Sequence, residues 1–223
     1  MDSYRLLFIL TELLPGATLE TIYMTFTSTF FASILGLPLG IYLYVSSPAG
    51  LSPRRIPYNV ISRIVNLLRS MPFIILMIVL IPMTRRIVGT AIGPTAAIVP
   101  LSIAAAPFVA RVVESALAEV ERGVITAAKA MGSTNFQIIH KVFIPEAMPA
   151  LVSGLALTII NLISYTAMAG AIGGRGLGDL AIRYGYHRFE TDVLIAAVIV
   201  ILLLVETVQI TGTLVSRWLL SRR

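Results

Sequence analysis

Five apolar runs, each long enough to cross a lipid bilayer as a helix, limit what this chain can fold into. They cover residues 18–45, 67–83, 91–110, 147–172 and 193–216. A hydrocarbon core about 30 Å thick needs about 20 helical residues, and the backbone of a span must satisfy its own hydrogen bonds there. The chain is therefore predicted to be all-α, a polytopic membrane protein with five transmembrane helices.

The composition excludes the main soluble classes. Of the 223 residues, 57% are hydrophobic and 13% are charged, and the mean hydropathy is +0.90. A soluble domain of this length could not bury so much apolar surface. Cysteine is absent, which excludes disulfides and thiolate metal sites. The net charge of +6 comes from basic residues scattered between the apolar runs, where they set topology rather than bind nucleic acid.

The remaining segments divide the chain by side of the membrane. We predict an extracytoplasmic leader over 1–17, a single transmembrane domain over 18–216, a cytoplasmic loop over 120–145 and a cytoplasmic basic tail over 217–223. With five spans, eleven Lys and Arg residues fall on the side of that loop and six on the other. This asymmetry favours an N-terminus outside and a C-terminus inside the cell.

The sequence contains no pattern of residues that is typical of a catalytic or metal-binding site. His140 and His187 fall on opposite sides of the membrane by this topology, so they cannot share a metal ion. The glycine run that ends at Gly178 is not a P-loop, because no Gly-Lys-Ser/Thr follows it. It is not a Gly-x-Gly-x-x-Gly cradle either, because position 179 is Asp. We predict neither a catalytic site nor a metal site.

The polar loop after the third span predicts a helix–turn–helix. Gly132 follows an Ala-rich helical turn, as a C-terminal cap does. Ser133 or Thr134 can then cap a second short helix, which we expect Pro145 to end.

The second helix is predicted to have one apolar face, because Phe136, Ile139 and Phe143 are spaced three and four residues apart. Such a face could dock into a groove of a soluble partner. The alternative is an interfacial helix that only lies on lipid headgroups.

The spacing in this loop resembles the cytoplasmic "EAA" loop of ATP-binding-cassette (ABC) importer permeases. That motif reads Glu-Ala-Ala, three residues, Gly, nine residues, Ile-x-Leu-Pro. Ala127, Ala128, Gly132 and Pro145 match it, whereas Thr126 stands where the family usually has Glu. The resemblance implies a type I ABC importer permease fold and a coupling helix that receives the motion of an ATPase. The implied coupling residues are Ala127, Ala128, Gly132, Phe136, Ile139 and Pro145. We call residues 120–145 the coupling segment.

A wider similarity, over about residues 17–215, is to methionine-importer permeases. It is carried by Arg69-Ser70-Met71-Pro72-Phe73 and its sequel to Leu76, by 81–90, by 96–101, by Gly176-Leu177-Gly178-Asp179-Leu180-Ala181 and by Tyr184-Gly185-Tyr186. It implies a subunit of the bacterial inner membrane that imports D- or L-methionine delivered by an extracytoplasmic binding protein or lipoprotein. ATP and magnesium would belong to two partner ATPase subunits, and this chain would bind no cofactor.

Five helices are few to enclose a solute path, so a homodimer around a two-fold axis is expected. Ser164 and Met168 share a face of the fourth span, with Tyr165 at its border. Met168 and its copy could close the path as an adaptable plug, or Met168 could be ordinary bundle core. Arg69, at the cytoplasmic mouth, could bind a carbonyl or partner group, although snorkelling to headgroups is favoured.

Two alternatives to methionine import stay open from the sequence. One is a permease of the same kind for another amino acid or small solute. The other is a carrier driven by an ion gradient, which needs no ATPase. Carriers of that kind have ionisable residues inside their spans, and Glu206 is the one carboxylate well inside a span here.

Overall fold

The computed structural model describes residues 9–222, and all regular structure in this part is helical. The α-helices are α1 (Leu14–Ser46), α2 (Arg55–Ser70), α3 (Phe73–Val79), α4 (Ile81–Val88), α5 (Pro94–Ala118), α6 (Arg122–Ala130), α7 (Asn135–Ile138), α8 (Ile144–Gly170), α9 (Gly176–Leu180) and α10 (Thr191–Leu220). Three π-helical segments, with a wider turn, lie at Ile9–Leu13, Ile139–Phe143 and Ala181–Tyr186. The all-α prediction is confirmed.

Four continuous helical segments of the described chain are long and apolar enough to cross a membrane. They are Thr11–Ser46, Pro94–Ala118, Asn135–Gly170 and Thr191–Leu220. The pair α2 and α3 counts as a fifth span if its two bent parts are taken together. These helices overlap four of the five predicted spans, and the second predicted span differs.

The predicted second span, 67–83, is not one helix. The chain bends by 103° between α2 and α3, and α4 follows after Leu80. Pro72 causes the break, because its φ of −58° and ψ of 128° leave the helical region, and its ring disfavours helix at the preceding residue. The residues before this predicted span form the amphipathic helix α2, in which Val65 is buried and Arg63 is exposed.

Pro145 does not end the second helix of the coupling segment, as we had expected. The helix runs on from Asn135 to Gly170. The π-helical turn just before Pro145 is the reason, since Ile144 N–H donates to the oxygen of Ile139, five residues earlier. Pro145 then lies in the first turn of α8, where a residue without an N–H is tolerated.

The chain groups into two compact units. The first comprises 9–32, Met71–Ala105 and Ile159–Gln209, and the second comprises Ser33–Ser70, Ala106–Thr158 and 210–222. Six residues form a core cluster of the first unit: Ile9, Leu14, Leu177, Leu180, Val193 and Ala197. The prediction of a single domain over 18–216 stays a prediction.

In the second unit, α1 and α2 pack against α5 around Leu43, Val65 and Ala110. Gly40 allows α1 to approach α5 closely, because a Cβ at this position would lie 2.6 Å from the Cβ of Val113. Small residues permit such close backbone contact in membrane proteins. This packing brings the end of α1 beside the coupling segment.

Candidate functional site

The turn between the two helices of the coupling segment is built on Gly132. Helix α6 ends at Ala130, and Gly132 has a φ of +77°, in the left-handed region that favours glycine. Its N–H donates to Lys129 O at 3.0 Å, and Ser133 N–H donates to Ala128 O at 3.1 Å. The prediction that Gly132 ends the first helix is confirmed.

Thr134, rather than Ser133, caps the second helix. Its Oγ1 accepts a hydrogen bond from Gln137 N–H at 3.3 Å, and its own N–H donates to Gln137 Oε1 at 2.8 Å. This reciprocal capping box satisfies two backbone donors that would otherwise lack partners. The turn is therefore fixed by its own side chains.

The prediction that Phe136, Ile139 and Phe143 share one apolar face of the helix is wrong. Phe136 is 76% exposed, whereas Phe143 is 1% exposed. Phe143 packs edge-to-face on Tyr44, with ring centroids 4.9 Å apart. The π-helical turn between these residues changes their angular spacing, so residues three and four apart no longer align.

The other predicted coupling residues differ in exposure. Ala127, Gly132 and Pro145 are exposed, Ile139 is half-buried and Ala128 is buried. Ala128 therefore packs the helix in place rather than offering a contact.

Sequence reasoning missed two exposed apolar side chains of the coupling segment. Met131 is 80% exposed and Val124 is 40% exposed. Their spacing of seven residues, two helical turns, places them on one side of α6 and its continuation. That spacing was the available signal. With Phe136, these two residues form what we call the apolar patch.

A pocket of about 450 Å³ lies beside α6. Residues 48–51, in the loop after α1, and the packed rings of Tyr44 and Phe143 contribute to its lining. Arg122 and Lys129 bring two positive charges to it. Among the described residues, its lining holds no carboxylate. We call it the basic pocket.

A second pocket of the same unit has the opposite charge. It measures about 390 Å³ and is lined in part by Glu119, Glu121 and Glu146. The end of α10 also lines this pocket, where Ser216 Oγ donates to Pro149 O at 3.0 Å. The coupling segment is thus bordered by one basic and one acidic pocket.

Arg69 is exposed and lies over an aromatic ring. Its guanidinium carbon is 5.8 Å from the centroid of Phe108, within the range of a cation–π contact. This contact anchors the end of α2 to α5.

Of the residues predicted for the solute path, Ser164 and Met168 are exposed and Tyr165 is half-buried. Met168 is 43% exposed, so it is not part of the core of this chain. Tyr165 stacks on Phe73 with centroids 4.8 Å apart and rings nearly parallel. The stack holds Tyr165 beside the face that Ser164 and Met168 share.

The described residues contain no group of three or more His, Asp or Glu side chains arranged to hold a metal ion. His140 instead stacks on Phe136, with centroids 6.2 Å apart.

Comparisons with known proteins agree on one family. Residues 36–221 match the family described as "Binding-protein-dependent transport system inner membrane component". The chain is 47% identical over 202 residues to a "Probable D-methionine transport system permease protein MetI" of Vibrio cholerae, covering 90% of this chain and 89% of that protein. It is 51% identical over 158 residues to the "D-methionine transport system permease protein MetI" of Escherichia coli K12, covering 71% of this chain and 73% of that protein.

Solved structures point the same way. A chain from "Inward facing conformations of the MetNI methionine ABC transporter" superposes with a TM-score of 0.92 at 44% identity, over 98% of this chain and 99% of that one. A chain of "an amino acid ABC transporter with histidines" matches with a TM-score of 0.80 at 19% identity, over 97% and 98%, and shows the fold alone. The predicted type I ABC importer permease fold is confirmed, and this chain belongs to the family of binding-protein-dependent transport system inner membrane components.

Proposed function

We propose that this chain is the transmembrane subunit of an ATP-driven importer for methionine in the bacterial inner membrane. Two copies would form the translocation path, and each would offer its coupling segment to one ATPase subunit. An extracytoplasmic binding protein or lipoprotein would deliver the amino acid. The names of the relatives in Vibrio cholerae and Escherichia coli support the substrate.

The observation that carries this proposal is the apolar patch on a rigid turn. Met131 and Phe136 are 80% and 76% exposed. Met131 lies before the long helix Asn135–Gly170, and Phe136 lies in its first turn. Exposed apolar side chains in a polar segment mark a surface that another protein or the membrane covers, and we assign the ATPase as the partner that covers this one. The capping box of Thr134 holds that surface in one shape, as a part that transmits motion requires.

The proposed topology keeps the coupling segment and the C-terminus in the cytoplasm and the N-terminus outside. The counts of basic residues support it. In this arrangement Arg69 lies near the cytoplasmic mouth, and its contact with Phe108 fixes that end of α2.

The face of Ser164 and Met168 is proposed to line the path at the two-fold axis. The exposure of both residues in the single chain supports this, because a second copy is then free to meet them. A flexible thioether can fit varied solutes and can also pack against its own copy.

Proteoliposomes test the function. The chain is reconstituted with its ATPase, and methionine uptake and ATP hydrolysis are measured with and without the binding protein. We expect uptake that needs ATP and hydrolysis that the binding protein stimulates.

Two results would contradict the proposal. Uptake by this chain alone, driven by a proton or sodium gradient, would identify a carrier without an ATPase. ATP-driven uptake of another amino acid with no uptake of methionine would identify a permease of the same fold for a different solute.

A further inference from the structure

We propose that the basic pocket binds an Asp or Glu side chain of the ATPase subunit, held between Arg122 and Lys129. This inference rests on the proposed function, in which an ATPase docks on the coupling segment. It adds a second, charged contact to the apolar patch and gives the loop after α1 a part in the interface.

The volume and walls of the basic pocket suit a single protruding side chain. About 450 Å³ exceeds the space that one carboxylate side chain fills, so part of its own loop can enter with it. On one side the wall is a tight turn, in which Gly50 N–H donates to Ser47 O and Ser52 N–H donates to Val45 O, both at 3.0 Å. The pocket is therefore preformed, and little ordering is needed when a partner enters.

The two cations lie on one side of α6. Arg122 and Lys129 are seven residues, or two turns, apart, which is about 10 Å along a helix. Both side chains are exposed. A carboxylate placed between them can accept a hydrogen bond from either cation, and charge-assisted bonds of this kind are the strong ones.

Helix stability does not explain why Arg122 stands where it does. It is the first residue of α6, and the first turn of this helix holds no acidic residue. The N-cap residue before it is Glu121, which makes no side-chain cap bond and lines the acidic pocket rather than the basic one. The partial positive charge at a helix N-terminus disfavours a basic residue in that place. A negative group from outside the chain would offset this repulsion.

Charge also selects the pocket that the ATPase carboxylate enters. The acidic pocket lined by Glu119 and Glu121 would repel it, whereas the basic pocket attracts it. Unlike charges in matching places fix the register of two proteins more than they raise affinity. The contact would set which way the ATPase faces on the coupling segment.

Zero-length cross-linking tests the contact, because the chain has only two lysines, Lys129 and Lys141. Both lie in the coupling segment and both are exposed, but only Lys129 lines the basic pocket. The reconstituted complex is treated with a carbodiimide, which joins an amine to a carboxylate in direct contact. We expect a peptide linking Lys129 to an Asp or Glu of the ATPase, lost in Lys129→Arg and kept in Lys141→Arg.

Charge reversal gives an independent measurement. The double variant Arg122→Glu with Lys129→Glu should bind the ATPase roughly tenfold more weakly at low salt, with the difference shrinking as salt is raised. Lys129→Arg keeps the charge and should retain affinity. Both residues are exposed, so the fold of the variants should be intact, which their thermal unfolding checks.

The possible failures are distinguishable. If the complex forms but Lys129 gives no link to the ATPase, or charge reversal leaves affinity unchanged, the inference is wrong and the proposed function stands. If no complex forms with the wild-type chain, the proposed function itself fails. If charge reversal matters only in vesicles that contain phosphatidylglycerol, the pocket binds a lipid phosphate, and the inference is overturned.

Discussion

Arg111, on α5, donates from Nη2 to the backbone oxygen of Ser62 at 3.0 Å and also to the side-chain oxygen of Ser62 on α2. The same nitrogen donates to Asn66 Oδ1 at 3.0 Å, and Nη1 pairs with Glu114. Tyr58 OH donates to Glu114 Oε1 at 3.1 Å. This network ties the amphipathic helix α2 to the long helix α5, on the unit that carries the coupling segment.

Replacing Arg111 with Met should destabilise the protein. The change removes three contacts to α2 and leaves Glu114, whose side chain is 12% exposed, without its cation. Removing one partner of a largely buried ion pair costs about 3 kcal/mol. Thermal unfolding in detergent measures the loss, and the exposed Arg63→Met on α2 is the control. Equal melting temperatures for the two variants would contradict the network's role.

Gly40→Ala should also destabilise the protein, because the new Cβ would lie 2.5 Å from Ala110 O and 2.6 Å from Val113 Cβ. Overpacking of this kind costs about 1–3 kcal/mol. Gly16→Ala is the matched control, since no atom of the described chain lies within 4 Å of its added Cβ. We expect thermal unfolding to show a lower melting temperature for Gly40→Ala and an unchanged one for Gly16→Ala. If the melting temperature of Gly16→Ala falls by as much, close helix packing is not the cause of the destabilisation.

Gly132→Val should weaken the coupling of ATP hydrolysis to methionine uptake. A φ of +77° is costly for a β-branched residue, by about 1–2 kcal/mol, so the turn between α6 and α7 would shift. The ratio of uptake to hydrolysis in proteoliposomes is the measurement. Gly123→Ala, inside α6, should keep the wild-type ratio, because its added Cβ would make only an ordinary contact, 3.6 Å from Glu121 Oε1. A wild-type ratio in Gly132→Val would argue against a role for the turn in coupling.

Phe136→Ala should leave stability unchanged within about 0.5 kcal/mol, as expected for an exposed side chain, and should weaken ATPase binding. Aromatic residues buried at an interface contribute about 2 kcal/mol or more when truncated. Phe189→Ala removes an 85% exposed ring elsewhere and serves as the control. Titration of the ATPase against both variants decides the question. Equal affinities would mean that the apolar patch is not where the ATPase binds.

Much of the fold could be predicted from runs of apolar residues, because a bilayer requires a minimum length of uninterrupted helix. The spans at 18–45, 91–110, 147–172 and 193–216 lie on helices for this reason. Proline was harder to interpret. Helix α2 ends at Ser70, just before Pro72, whereas the second helix of the coupling segment continues through Pro145, which follows a π-helical turn that the apolar pattern did not indicate.

The candidate site was predictable only where its geometry is local. The capped turn at Gly132 and Thr134 follows from neighbouring residues and could be expected. The basic pocket could not, because it joins residues 48–51 to Arg122 and Lys129, which are more than seventy positions further along the chain. The packing of Tyr44 on Phe143, rings far apart in the sequence, joins these two parts of the chain.

The measurement that tests the central claim most directly is labelling of a single cysteine at the apolar patch. The chain has no cysteine of its own, so Met131→Cys introduces one thiol at a position that is 80% exposed. A membrane-impermeant maleimide is applied to intact spheroplasts and to inverted vesicles, with and without the ATPase subunit. We expect labelling in inverted vesicles only, and protection when the ATPase is assembled. Labelling from outside the cell, or equal labelling with and without the ATPase, would contradict the account.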